Sequence, residues 1–348
     1  MSLKKLDVVV IGAGFSGLYL LHKLRSSGFS VAVLEKADQL GGTWHWNRYP
    51  GARCDIPSLQ YSYQFDEDLQ QEWNWSEKYS AQQEILEYLN HVADRFDLKK
   101  DIEFNTEVIS ARFNEDKSLW EIKTSHGEVE TKFCVMATGC LSAPNTPDFK
   151  GLDDYEGQLL HTGKWPQTPV DFTDESVAII GTGSSSVQSI PILAEQAKHL
   201  YVFQRTPNYS IPTNNGPMDP AEEAEVKSRY PEFRKENWEN GFGIAGMAVD
   251  SMAVEDDELG RHEKFNHHWE NEGLGFLGAY ADLMIDKEAN EMAASFARNK
   301  VKEIVKNPEV AELLSPKFTI GCKRLCCDSG YFESFNRDNV TLVDLNAN

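Results

Sequence analysis

Val8-Val9-Val10-Ile11-Gly12-Ala13-Gly14-Phe15-Ser16-Gly17 is the stretch that decides the fold. Four apolar, mostly β-branched residues in succession suit a strand buried on both faces, as strands of parallel sheets are. The glycines then fit the pattern G-x-G-x-x-G, and Phe15 to Leu24 reads as a helix. Ser30 to Leu34 reads as the next strand, with Glu35 at its end, so the chain opens with a βαβ unit. Each part of such a unit has a physical task. The glycines permit a tight turn and let a pyrophosphate approach the helix N-terminus, where unpaired N–H groups and the helix dipole favour negative charge. An acid at the position of Glu35 accepts hydrogen bonds from an adenosine ribose. Gly12, Gly14, Phe15, Ser16, Gly17 and Glu35 are therefore expected to bind a dinucleotide, against the plainer alternative of a glycine turn kept for packing.

The plan recurs. Val177-Ala178-Ile179-Ile180 meets Gly181-Thr182-Gly183-Ser184-Ser185-Ser186, followed by a helix and a strand from His199 to Phe203. Ser186 stands where the fingerprint has glycine or alanine, which predicts a helix set slightly farther from its strand. Past the second strand, Arg205-Thr206 replaces the acid. A carboxylate there would repel a 2′-phosphate, whereas a guanidinium binds it through paired charge-assisted hydrogen bonds. The first site is thus expected to take FAD and the second NADPH, with an ordinary surface cation as the alternative for Arg205. Two nucleotide domains would also suit a disulfide reductase. However, the continuation Gly41-Gly42-Thr43-Trp44-His45-Trp46-Asn47-Arg48-Tyr49-Pro50-Gly51 carries no cysteine, and that chemistry lacks its reactive group.

Further along, Ser80-x-x-Gln83 resembles a capping box ahead of helical spacing from Ile85 to Phe96. Strands are expected at Glu107 to Phe113, Leu119 to Thr124 and Val129 to Ala137, with a hairpin turn at His126-Gly127. Trp73 and Trp75 read as core aromatics. Between Asp219 and Pro308 the sequence turns charged and helical: Asp219-Pro220 is an N-cap with proline at N1, and Asp282 to Lys306 reads as one long helix. The fold class expected is α/β, with two Rossmann-like dinucleotide-binding domains containing parallel sheets and a helical insertion in the second. Residues 1–140 form the FAD-binding domain and 141–218 the NADPH-binding domain with its linker. Residues 219–308 form the insertion, and 309–348 continue the NADPH domain.

The chain has 348 residues, 41% of them hydrophobic, enough to bury a sizeable core across roughly two domains. A formal net charge of −21 leaves no basic face for a phosphate backbone, so nucleic acid is not an expected partner. The apolar run at Val8 breaks at Gly12, too early for a signal-peptide core or a membrane span, which makes the cytoplasm the expected location and a membrane no partner. Cys54, Cys134, Cys140, Cys322, Cys326 and Cys327 lack C-x-x-C spacing. They read as reduced, mostly buried thiols, and no metal site is expected.

Tyr155-x-Gly157-x-x-x-His161-x-x-x-Trp165-Pro166 resembles the fingerprint of the Baeyer–Villiger monooxygenases, the class B flavoproteins that include the cyclohexanone and phenylacetone enzymes. Tyrosine replaces the usual phenylalanine at its first position. Related N- and S-oxygenases commonly lack the tryptophan–proline ending. Two more segments are similar to the family: Arg48-Tyr49-Pro50-Gly51-Ala52-Arg53-Cys54-Asp55 and Gly321-Cys322-Lys323-Arg324-Leu325. The resemblance implies that Arg324 is the active-site arginine and that Asp55 orients it. It places Lys323 with Arg205 and Thr206 at the NADPH phosphate, and has Thr43, Trp44, His45, Trp46, Asp55, Tyr61 and Val108 line the flavin site. Thr182, Gly183, Ser184, Ser185, Ser186 and Gln188 fall to NADPH, and His161 to the interdomain linker and its motion rather than to proton transfer. The activity implied is insertion of one oxygen atom of O2 into a ketone, through a peroxyflavin, to give an ester or lactone. A fixed arginine in a water-poor pocket would stabilise the negative charge that develops on oxygen.

The sequence stops at Val340-Thr341-Leu342-Val343-Asp344-Leu345-Asn346-Ala347-Asn348, just after an expected strand, whereas family members continue. Relative to the family the chain is expected to be C-terminally short, with an apolar sheet edge left uncovered. A flavin-dependent N- or S-oxygenase and an inactive nucleotide-binding fragment are the rival functions. The natural ketone and the oligomeric state are not legible.

Overall fold

The computed structural model describes residues 4–141, 143–241, 243–245 and 249–347. The chain gathers into two compact units, Met1–Arg48 with Gln82–Gln167, and Tyr49–Ala81 with Thr168–Asn348.

The first unit is built on a six-stranded sheet of β1 (Lys4–Ile11), β2 (Val31–Leu34), β3 (Ile102–Glu103), β4 (Val108–Asn114), β5 (Leu119–Thr124) and β6 (Gly127–Met136), in the order β3-β2-β1-β6-β5-β4. β1 runs parallel to β2, pairing Val8 with Val31 and Ile11 with Leu34, and parallel to β6 on its other side. Val8, Val9 and Val10 are buried, as a central strand requires. The helix Phe15–Ser26 makes the crossover and buries Leu18 and Leu21. The helix Gln82–Arg95 buries Ile85, Tyr88, Leu89, Val92 and Ala93, the face its spacing announced. β4, β5 and β6 form an antiparallel meander, with Thr124 opposite Gly127 at the expected hairpin. Gly127 has φ +141°, a conformation that favours glycine.

The second unit repeats the parallel plan with β7 (Ser176–Ile180) and β8 (His199–Gln204), joined by the helix Ser184–Gln196. β9 (Ser210–Pro212) and β10 (Cys326–Asp328) pair in a small parallel sheet, and β11 (Val340–Asp344) adds to β8 in the order β11-β8-β7. Between β9 and β10 lie the expected helices, including Pro220–Ser228, Tyr230–Glu239, Glu258–Asn271 and Lys287–Ile304. The last two pack together around the buried aromatic rings of Phe265, Trp269, Phe276 and Phe296. Asp219 caps the helix Pro220–Ser228 by accepting from the Ala221 N–H at 2.8 Å, with Pro220 in its first turn.

The helix expected from Asp282 begins only at Lys287. Asp282 is buried and spends its carboxylate on the N–H groups of Ala253 and Val254, while Asp286 caps the helix through the N–H groups of Glu288 and Ala289. Two aspartates four residues apart both suit an N-cap, and tertiary contacts choose between them. Trp75 is core, but Trp73 is only half-buried beside it. Cys54, Cys326 and Cys327 are buried, Cys134 is half-buried, and Cys140 and Cys322 are exposed, all as free thiols. Among the described residues no helix is long and apolar enough to cross a membrane.

Candidate active site

In the first unit the glycine turn is as tight as its sequence suggested. Gly12 has φ +103°, and a Cβ on Gly17 would stand 1.9 Å from the Gly12 carbonyl oxygen. The N-cap of the helix Phe15–Ser26 is Gly14, which brings no side chain to its first-turn N–H groups, so these stay available to an anionic ligand. Gly41 donates to the Ala13 carbonyl at 2.9 Å, and a Cβ on Gly42 would meet the Gly14 Cα at 3.0 Å, so the second glycine pair closes on the first. Glu35 is buried. Its Oε2 accepts from the Ala13 N–H at 2.6 Å and its Oε1 from the Ala37 N–H at 2.8 Å. Two of a carboxylate's roughly four acceptor positions are thereby used, leaving capacity for the hydroxyls of a ribose. This cradle fits the adenosine diphosphate part of FAD.

Thr43 to Trp46 form a short helix with Trp44 and His45 buried. The His45 Nδ1 is buried without a hydrogen-bond partner among the described residues, its Nε2 lies 3.4 Å from Asp38, and burial holds the imidazole below its usual pKa. Trp46 meets that ring edge-on at 4.8 Å. Phe15 lies against Tyr88, Ser16 is exposed, and Val108 opens β4, half-buried. In the fingerprint, Tyr155 is exposed and a Cβ on Gly157 would collide with its ring. His161 caps the turn Thr162–Lys164: its Nδ1 accepts from the Gly163 N–H at 3.0 Å, and its Nε2 lies 3.3 Å from the Asn145 carbonyl. Trp165 and Pro166 are half-buried.

In the second unit, Gly181 has φ +104° and Gly183 faces open space at the helix N-terminus. Ser186 is buried with its Oγ 3.9 Å from a Cβ position on Gly181, whereas at the matching place in the first unit a Cβ on Gly17 would stand 1.9 Å from the Gly12 carbonyl oxygen. Ser185 is half-buried, and Ser184 Oγ lies 3.7 Å from Cys326 Sγ. The buried Thr182 donates its hydroxyl to the Thr206 carbonyl at 3.0 Å, and Asn346 donates to the Arg205 carbonyl at 2.6 Å. These bonds fix the backbone from which the exposed side chains of Arg205 and Thr206 project. Lys323 is exposed, its ammonium 4.8 Å from the Phe318 ring centroid. A helix N-terminus open at Gly183, beside an exposed arginine on a held backbone, fits a phosphorylated dinucleotide.

The same unit joins Asp55 to Arg324 across 269 residues of sequence, with Nη2 donating to Oδ2 at 2.9 Å. The partners are unequal, the side chain of Asp55 being 7% exposed and that of Arg324 63%. Gln188 takes the other carboxylate oxygen, its Nε2 donating to Oδ1 at 3.0 Å. Burial pushes Asp55 up to about 6, against the opposing pull of Arg324 and Gln188. Burial likewise pushes Cys54 up to about 12 and raises Cys327 and Tyr79, leaving neutral groups around the carboxylate. Tyr61 lies half-buried in this unit on the turn after Pro57. Tyr49 and Gly51 fall within the family-like segment Arg48 to Asp55, but sequence reasoning gave neither a role of its own; the Tyr49 hydroxyl donates to Gln188 Oε1 at 2.9 Å, and a Cβ on Gly51 would stand 2.2 Å from the Gln188 carbonyl. The turn signal Pro50-Gly51 was the available clue.

Residues 9–235 match the family model described as pyridine nucleotide-disulphide oxidoreductase. A Baeyer–Villiger monooxygenase from Pseudooceanicola batsensis is 45% identical over 98% of this chain and 63% of its own length. The phenazine N-monooxygenase PhzNO1 of Lysobacter antibioticus is 40% identical over 98% of this chain and 64% of its own. The crystal structure of OTEMO in complex with FAD and NADP superposes with a TM-score of 0.94 at 40% identity, covering 98% of this chain and 66% of that one. The chain thus spans just under two thirds of the length of the curated relatives it matches.

Proposed function

We propose that this chain, which belongs to the pyridine nucleotide-disulphide oxidoreductase family and within it to the Baeyer–Villiger monooxygenases, belongs to an enzyme that binds FAD and NADPH and oxygenates small-molecule ketones to esters or lactones with O2. The observation that carries this reading is the buried Asp55 carboxylate paired at 2.9 Å with the exposed guanidinium of Arg324.

The flavin, reduced by the nicotinamide, supplies the activation of dioxygen when both cofactors are bound. The chain's own residues supply place and charge. Gly12, Gly14 and Gly17 let a pyrophosphate approach the helix N-terminus, and Glu35 receives the ribose. In the first unit, Thr43 to Trp46 and Val108 line the flavin site. Gly183 to Ser186 receive the second pyrophosphate, while Arg205, Thr206 and Lys323 hold the 2′-phosphate. Arg324 presents a positive charge to negative charge developing on oxygen, and Asp55 sets its direction. We assign the flavin to the domain of residues 1–140 and NADPH to that of 141–218 with 309–348, and place the protein in the cytoplasm.

A flavin absorbance spectrum of the purified protein, followed by product analysis with a cyclic ketone and a thioether, tests the reading. Bound FAD, preference for NADPH and an ester or lactone product are expected. A chain without flavin and without NADPH oxidation would refute it. The 40% identity to a phenazine N-monooxygenase makes N-oxidation the second reading, and conversion of an aromatic N-heterocycle but no ketone would establish that instead.

A further inference from the structure

We propose that Gln188 is the positioning residue that keeps Asp55 ionised and aimed at Arg324, and that Tyr49 locks the Gln188 amide in the orientation this requires. The functional consequence rests on the reading of Arg324 above; the positioning itself does not.

Gln188 lies on the helix Ser184–Gln196, one turn beyond Ser184, and is buried. Its amide meets three groups. Nε2 lies 3.0 Å from Asp55 Oδ1 and 3.2 Å from the Arg53 carbonyl oxygen, and Oε1 lies 2.9 Å from the Tyr49 hydroxyl. The Arg53 carbonyl can only accept and an ionised Asp55 can only accept, so both need the NH2 end. The Tyr49 hydroxyl then donates to the remaining oxygen. A flipped amide would set an oxygen against two acceptors, so a single orientation satisfies all three contacts. In that orientation the amide donates to the carboxylate, which favours its charged form.

The opposition is strong. Besides Arg324, the titratable groups around Asp55 among the described residues include Tyr49, Cys54, Tyr79, Cys326 and Cys327, each held in its neutral form by burial. Arg324, being largely exposed, is screened by water and holds the charge only in part. The Gln188 contact is the second influence that favours the carboxylate. Because Gln188 is on the helix whose N-terminus we assign to NADPH, a displacement of that helix moves the donor that fixes Asp55.

The test is a titration of Asp55 in the ligand-free protein, labelled with carboxyl-¹³C aspartate, the Asp55 signal being the one lost in Asp55→Asn. The native midpoint is expected near 6. In Gln188→Met it rises by about one pH unit, the size expected for loss of a hydrogen bond to a charged acceptor. In Gln188→Glu it rises further, because two carboxyl groups facing each other share a proton. Tyr49→Phe leaves Gln188 in place but frees its amide, and raises the midpoint by less than Gln188→Met does. A folded Gln188→Met protein with an unmoved midpoint overturns the proposal. Should that variant not fold, Tyr49→Phe decides: an unmoved midpoint there overturns it. No step of this titration depends on flavin, NADPH or ketone, so its failure stays distinct from failure of the oxygenase reading.

Discussion

Asp55→Asn is expected to make the protein more stable at neutral pH while impairing the site. Burial pushes Asp55 from its ordinary 3.8 to about 6. Between those pH values the folded chain retains a proton that the unfolded chain has released. The contribution of such a group to stability is fully present below its ordinary value and is lost as pH rises through about 6. At about 1.36 kcal/mol per pH unit, carrying the ionised carboxylate leaves the fold ~3 kcal/mol less stable at neutral pH than a neutral group of the same shape would. Asparagine is such a group. Its carbonyl oxygen can still accept from Gln188 Nε2, and its NH2 would face Arg324, whose exposed guanidinium can turn to water. That lost contact offsets up to about 1 kcal/mol. A net gain of ~2 kcal/mol near neutral pH is therefore expected, shrinking to nothing near pH 4. Urea unfolding followed by tryptophan fluorescence at both pH values measures it. An Asp55→Asn protein that is destabilised equally at both would refute the assignment of a costly buried charge.

Gly17→Val is expected to lose flavin and to cost at least about 1–3 kcal/mol, because its Cβ would sit 1.9 Å from the Gly12 carbonyl oxygen; flavin content per chain and the unfolding midpoint check both. Arg205→Ala is expected to weaken NADPH by roughly 1.5–3 kcal/mol and to leave NADH little changed, which paired binding titrations resolve; equal weakening would mean that Arg205 does not read the 2′-phosphate. Arg324→Ala is expected to keep NADPH oxidation measurable but to lower ester formation by about 10²–10³, read as ester yield per NADPH consumed alongside a peroxide assay. Near-parental coupling in that variant would remove the arginine from catalysis.

The two βαβ units were legible because everything they need is contiguous. An apolar run, a glycine turn and an acid or arginine after the next strand all fall within a few dozen residues, and local sterics leave little choice about their conformation. The start of the helix at Lys287 was not legible, since Asp282 and Asp286 are equivalent caps until Ala253 and Val254 claim one of them. The pairing of Asp55 with Arg324 lies further still from what spacing can tell. Only similarity to a family suggested it, because nothing local distinguishes these two charges from the other acidic and basic residues. What the structure adds is the reason the pair is worth holding. A buried acid raised to about 6 weakens the fold at neutral pH, and a neutral residue of the same shape would remove that cost. A guanidinium left to water would point nowhere in particular, whereas one drawn to a fixed carboxylate has a direction. The rigidity of Asp55 comes from Gln188, Tyr49 and the backbone of Arg53. The stability given up at Asp55 is what the aim of Arg324 costs, and Asp55→Asn should separate the two by restoring the first and losing the second.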